Sequence, residues 1–327
     1  MKRTTLRSLV MAGVAAVALT ACEAPPPPVS LRICVFKTQD FLPYYVMQEL
    51  GFDRKNGLSF SEISYVGGAA AIDAMVDGAL DLCPGTGIMP LLAAAERRLI
   101  PGKAVPVATN YVADPEHPGV GLIVAHTVQG WKDLEGKKIG TNAHNSIPTA
   151  GTVARLQQEG VGAYSFVEIP FANQGLAVMG GNIAAAAMNE PYLTQSLLRG
   201  DGKLLDWVIG GPPLAHTPFT AIVFSTENDR RNPDGVKAFL RAHLAATRWI
   251  NQYPDDARHL LAKRLNLIAD VAKKINLLHW PPDARSDPVL LDQTQQVLLR
   301  VGVLKQSVDT RALYDETLLA EVLKENR

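Results

Sequence analysis

The sequence predicts an α/β protein of two lobes, each a mixed, mainly parallel sheet flanked by helices. Two observations predict it. Short β-rich runs alternate with helical ones over most of the chain, an order that builds mostly parallel sheets. The order then returns about a hundred residues later, as internal repeats do. Ala74-Met75-Val76-Asp77-Gly78-Ala79-Leu80-Asp81 and Ala177-Val178-Met179-Gly180-Gly181-Asn182-Ile183-Ala184 both read as helix end, glycine turn and strand.

The chain opens on the cationic stretch Met1 to Arg7, continues with the apolar run Leu9 to Leu19, and reaches Thr20-Ala21-Cys22. That order reads as a secretory leader over residues 1–21. The run is too short to cross a bilayer, which needs about 20 helical residues. Leu19-Thr20-Ala21-Cys22 resembles the bacterial lipoprotein processing site, which implies acylation of Cys22 and a membrane-anchored, extracytoplasmic protein. Pro25 to Pro28 follow and favour an extended spacer, so residues 22–30 read as anchor and tether.

Ser30 to Thr38 reads as the first strand, Pro43 to Leu50 as a helix closed by Gly51, and Leu58 to Val66 as the second strand. Ala69 to Val76 is a small-residue helix. Leu80 to Cys83 is a third strand, which Pro84-Gly85-Thr86-Gly87 should break. In the second lobe, Lys137 to Thr141, Val167 to Pro170 and Ile183 to Met188 read as strands. Pro148 to Glu159 and Gly175 to Met179 read as helices. The β-rich runs Val105 to Val112, Gly119 to Ala125 and Phe219 to Ser225 flank that lobe and are expected to carry the hinge crossings.

Asn232 suits a helix cap, with Pro233 in the first turn. Val236, Phe239, Leu240, His243, Leu244 and Thr247 then recur at helical spacing. Further helices begin near Pro254 and span Val289 to Val301, and all are expected to pack on the first lobe. The expected boundaries are 31–123 plus 214–327 for lobe I and 124–213 for lobe II.

Composition excludes several classes. Hydrophobic residues make up 47% and charged residues 20%, ordinary for a globular protein. Removing Lys2, Arg3 and Arg7 from 32 basic residues leaves 29 against 32 acidic, no charge balance for a nucleic-acid binder. Besides Cys22 there are only Cys34 and Cys83, both in apolar runs, and buried free thiols are expected rather than a disulfide.

Catalytic patterns are missing from the sequence. Gly85-Thr86-Gly87 lacks the third glycine of a dinucleotide loop, and no Gly-x-Ser-x-Gly elbow occurs. The seven histidines include no pair three or four apart, so neither a metal nor another cofactor is expected. Asp114, Glu116 and His117, beside Pro115 and Pro118, suit a solvated turn.

Four stretches, in order over about residues 31–255, resemble the periplasmic-binding-protein family that serves nitrate, sulfonate, taurine and thiamine-pyrimidine importers. They are Pro43-Tyr44-Tyr45 through Gly51-Phe52-Asp53-Arg54-Lys55-Asn56-Gly57-Leu58; Gly67-Gly68 with Asp77-Gly78-Ala79-Leu80-Asp81; Asp133-Leu134-Glu135-Gly136-Lys137; and Asn189-Glu190-Pro191-Tyr192. The chain departs from the family at Gly181-Asn182-Ile183-Ala184-Ala185, where relatives often carry Gly-x-x-Asp-Ala. The resemblance implies a type II two-lobed fold with two hinge crossings. It implies a binding protein, not an enzyme, that hands a small solute to an ABC permease and its ATPase; a monomer is the default expectation. A pyrimidine-forming enzymatic branch of the family carries a cysteine-rich signature absent here. A sensor that binds solute and reports to a signalling partner is the alternative.

Ligands of doubly wound sheets bind beyond the carboxyl ends of the strands. The loops there supply Gln39, Asp40, Phe41, Thr86, Asn110, Asn145, Ser146, Glu190 and Tyr192 as candidate ligand-binding residues. Ser146 suits either a ligand's oxygen or a helix cap. Glu190 suits either the ligand or the Pro191 turn. With Lys37 the one nearby cation for Asp40 and Glu190, the expected solute is polar and organic, sulfonate-like or heterocyclic, rather than nitrate.

Overall fold

The computed structural model describes residues 27–65 and 67–325. The leader and Cys22 lie outside the described residues. The described residues form ten strands, β1 Val29–Val35, β2 Leu58–Ser64, β3 Leu82–Gly87, β4 Ala104–Ala113, β5 Val120–Val124, β6 Lys137–Thr141, β7 Tyr164–Glu168, β8 Ala185–Asn189, β9 Lys203–Ile209 and β10 Thr217–Ser225. Among the described residues the helices are α1 Leu42–Glu49, α2 Phe52–Lys55, α3 Gly68–Val76, α4 Ile88–Glu96, α5 Ile147–Gln158, α6 Phe171–Met179, α7 Tyr192–Arg199, α8 Thr226–Arg231, α9 Pro233–Gln252, α10 Pro254–Leu265, α11 Ala269–Lys274, α12 Pro288–Arg300 and α13 Thr317–Glu325. None is long and apolar enough to cross a membrane.

The strands make two five-stranded sheets, ordered β2-β1-β3-β10-β4 and β7-β6-β8-β5-β9. In the first, β1 runs parallel to β2 and β3, while β10 runs antiparallel to β3 and β4. The second repeats the plan, with β6 parallel to β7 and β8 and β5 reversed against β8 and β9. Four strands of each sheet therefore share a direction, and their carboxyl ends form one edge per sheet.

β5 belongs wholly to the second sheet, where Val120 pairs with both Asn189 and Ile209. The boundary expected at residues 123/124 would split it, so the crossings are the turns 114–119 and 210–216. The runs expected to be the crossings are instead the strands on either side of those turns. Asp114 shapes the first turn by accepting the backbone N–H groups of Glu116 and His117 at 2.8 and 2.7 Å. Partial burial opposes its charge, yet the hydrogen bonds from His117 and Glu116 hold its carboxyl below the usual range.

The third strand also departs from expectation. β3 continues through Pro84 rather than stopping there. Its partner β10 pairs Ala221 with Thr86 and Val223 with Cys83, so a bulge falls opposite Pro84-Gly85 and no ladder hydrogen bond is required of the proline. A second correction concerns the cysteines. Cys34 and Cys83 form a disulfide, with Cα atoms 4.9 Å apart. The reason is register: Ile33 pairs with Leu82 across parallel neighbours, which sets the next residue on each strand side by side.

The helical expectations hold with small shifts. Asn232 caps α9 by accepting the Gly235 N–H at 3.1 Å. Val236, Phe239, Leu240, His243, Leu244 and Thr247 are all buried, so α9 lays its apolar face on α1, α2 and β2. Each large apolar side chain buried there contributes on the order of 1.5–3 kcal/mol. Burial pushes His243 down to about 3 and keeps it neutral in this core.

Candidate functional site

The carboxyl edges of the two sheets face one another, and the loops beyond them meet. The loop after β1 supplies Thr38, Gln39 and Asp40; β3 ends on Thr86 and Gly87; Asn110 lies near the end of β4. From the other lobe come Asn142 after β6, Ser146 at the start of α5, and Asn189-Glu190 at the end of β8. Backbone joins the lobes directly, because the Gln39 N–H donates to the Glu190 carbonyl at 3.3 Å.

Asp40 is 6% exposed. Burial pushes its carboxyl up to about 6, against hydrogen bonds from Thr38 and Asn189 that favour the ionised form. The Thr38 hydroxyl donates to Asp40 Oδ2 at 3.0 Å. Asn110 donates through Nδ2 to the Asp40 carbonyl and to Thr220 Oγ1, both at 3.0 Å.

Glu190 is buried and its carboxyl is raised for the same reason. Its side chain accepts the Thr194 N–H at 3.0 Å and the Thr194 hydroxyl at 2.7 Å, which fixes the first turn of α7. It also accepts the backbone N–H of Asn276 at 3.4 Å. Glu190 therefore ties the Pro191 turn to the C-terminal segment, the structural alternative open for it in the sequence.

Asn276 carries no sequence signal and joins three pieces of the molecule. Its carbonyl accepts from Gln39 Nε2 at 3.0 Å, and its side chain donates to the Pro118 carbonyl at 2.8 Å. Pro118 belongs to the first crossing, so the hinge and the cleft share this residue.

The remaining expected residues divide. Thr86 is fully buried and spends its hydroxyl on the Cys83 carbonyl at 3.3 Å. Ser146 caps α5 through Thr149, whose N–H lies 3.5 Å from its Oγ and whose hydroxyl lies 3.1 Å from it. Asn145 is exposed and stands apart from the buried cluster. Phe41 is core rather than a cover for ligand: its ring packs on Phe36 with centroids 5.0 Å apart and presses on Gly85, where an added Cβ would lie 2.5 Å from Phe41 Cε2. Tyr192 is half-buried and stacks on Phe171 at 5.7 Å. Lys37, expected as the balancing cation, is exposed. No basic group contributes to the shifts of Asp40 or Glu190.

A surface cavity of about 610 Å3 lined by Arg32, Asp81, Lys103, Thr226 and Arg230 belongs to the first lobe alone, at the opposite edge of its sheet. It takes no residue from the cleft.

The NMT1-like family model matches residues 24–266. This chain belongs to the NMT1-like family. Solved structures similar to this NMT1-like chain include the periplasmic aliphatic sulphonate-binding protein SsuA of Escherichia coli, 21% identical, covering 88% of this chain and 92% of that one with a TM-score of 0.68. The nitrate-binding protein NrtA of Synechocystis PCC 6803 is 16% identical over 91% and 89%, with a TM-score of 0.73. A ligand-binding component of an ABC-type import system from Staphylococcus aureus, with zinc bound, is 13% identical over 90% and 98%, with a TM-score of 0.75. All three support the periplasmic-binding-protein fold for the NMT1-like chain. No curated protein sequence matches it.

Proposed function

We propose that this chain is the solute-binding component of an ABC-type importer, closing its two lobes on a small polar organic solute and presenting it to a membrane permease. One observation carries the reading. Buried polar groups from both lobes meet at the strand ends, and side-chain oxygens of Gln39, Asn110, Asn142 and Asn189 are enclosed there without a hydrogen-bond partner. Enclosed polar atoms without partners cost free energy in the absence of a ligand, and they cluster where a protein is built to bind one. Family membership, and the import-system components among similar structures, support the same reading.

The rest of the proposal concerns place and assembly. The leader and Cys22 fit an anchored protein on the outer side of a bacterial membrane, working as a monomer. On this reading the protein binds and releases its solute without transforming it, as the binding proteins among similar structures support.

A thermal-shift titration of the purified full chain with a filtrate of small bacterial metabolites tests the reading. A saturable rise in melting temperature is expected, accompanied by a smaller radius of gyration in X-ray scattering. A flat response in both measurements would remove the proposal.

A further inference from the structure

Two amides beside Asp40 have a fixed orientation. Gln39 Nε2 donates to the Asn276 carbonyl, and Asn110 Nδ2 to the Asp40 carbonyl. A carbonyl oxygen only accepts, so in both cases the amide nitrogen must point at it and the amide cannot flip. The oxygen end is therefore the free end in both, and these two oxygens, with that of Asn189, are enclosed and unpartnered.

The groups offered around Asp40 are thus hydrogen-bond acceptors beside a carboxylate. The titratable groups that face Asp40 are Tyr45 of α1 and Tyr111 of β4, neither of them positive; Arg264 lies over the Tyr45 ring, 5.2 Å from its centroid, and does not contribute to the shift of Asp40. The Tyr111 hydroxyl is already spent on the His117 carbonyl at 3.1 Å, and that of Tyr45 on the Phe36 carbonyl at 3.0 Å. A sulfonate or nitrate would bring oxygens to face oxygens, with a negative charge to face another. A solute with N–H donors and a positive charge meets complementary groups at every point.

Resting on the solute-binding reading, we infer that the cleft takes a small organic cation whose charged nitrogen carries N–H donors, an ammonium, amidinium or guanidinium group, with Asp40 as its counter-ion, and that it excludes simple anions. The Asp40 carboxylate lacks a counter-charge within the protein, and the ligand supplies it. Gln39, Asn110 and Asn189 take the remaining N–H groups. Since a cation pairs with the ionised carboxylate, affinity rises with pH through about 6 and levels off above it.

Isothermal titration of the purified full chain at pH 7.5 tests the inference with agmatine, putrescine and benzamidine on one side. Ethanesulfonate, nitrate and calcium chloride stand on the other. At least one organic cation is expected to bind one-to-one, and Asp40→Asn is expected to weaken it more than tenfold while the variant's circular dichroism spectrum stays native. Affinity for the wild type is expected to fall about tenfold per pH unit below about 6, and the variant to lose that dependence. An unchanged affinity in Asp40→Asn overturns the inference, as does calcium binding alone or no binding by any of the three cations. Binding of ethanesulfonate or nitrate overturns it too, while leaving the importer reading intact. That reading falls separately, with the metabolite filtrate.

Discussion

Asp40 carries a charge at neutral pH in a place that stabilises its neutral form. An unfolded aspartate ionises near 3.8, and the buried one at about 6. Between these values the native state binds the proton more tightly than the unfolded chain. The group's contribution is therefore present below 3.8 and lost as pH rises through 6, on the order of 3 kcal/mol. Asp40→Asn, which keeps the shape and removes the charge, is expected to unfold at higher denaturant concentration than the wild type at pH 8. The gap should close toward pH 4, and a variant less stable than the wild type at pH 8 would contradict this account. Gly85 is constrained by contact rather than charge, since Phe41 occupies the space a Cβ would need. Gly85→Ala is expected to cost about 1–3 kcal/mol in the same denaturation assay, with Phe41→Leu recovering part of the loss in the double variant.

At the scale of elements, the Cys34–Cys83 bond staples β1 to β3 directly beneath the loops that hold Gln39, Asp40 and Thr86. It closes 49 residues, a loop whose cross-link is worth up to about 4 kcal/mol. Cys34→Ser with Cys83→Ser is expected to lower the denaturation midpoint accordingly. The same midpoint with and without a reductant for the wild type would show that the staple does not form. The pairing was illegible in the sequence because it depends on strand register, which neither cysteine's neighbours reveal. Pro84 misled for a related reason: a proline reads as a break until its partner strand is known to bulge opposite it. Alternation of apolar runs marked most of the other elements to within a few residues, since period and punctuation are local. Of the residues that strand ends offered as ligand-binding candidates, Gln39, Asp40, Thr86, Asn110, Ser146 and Glu190 are buried. Asn276 stayed hidden because it reaches Glu190 from 86 residues away, on a segment without periodicity.

Across the whole molecule, hydrogen bonds of Gln39 with the Glu190 carbonyl, and of Asn276 with Glu190 and Pro118, join the seam and the hinge. Closure of this kind is readily biased, because a ligand that touches both edges adds its own binding energy to a small existing preference. At a hundred times its dissociation constant a ligand is expected to stabilise the fold by about 2.7 kcal/mol, read as a rise in melting temperature. Asn276→Ala, which removes the side-chain bond to the Pro118 carbonyl, is expected to shift the free protein toward a larger radius of gyration in scattering.

The start and finish of the second sheet's chain segment are also its neighbours in space. Val120 pairs with Ile209, and the Gly119 N–H donates to the Ile209 carbonyl at 2.9 Å. Residues 120–209 are in effect a cassette inserted into the first lobe through two adjacent strands, so exchanging them leaves the host's termini and its own pairing untouched. Specificity can then be recombined by halves: a graft of this segment from a relative would carry over Asn142, Asn189 and Glu190 positions as a unit, while Gln39, Asp40 and Asn110 stay with the recipient.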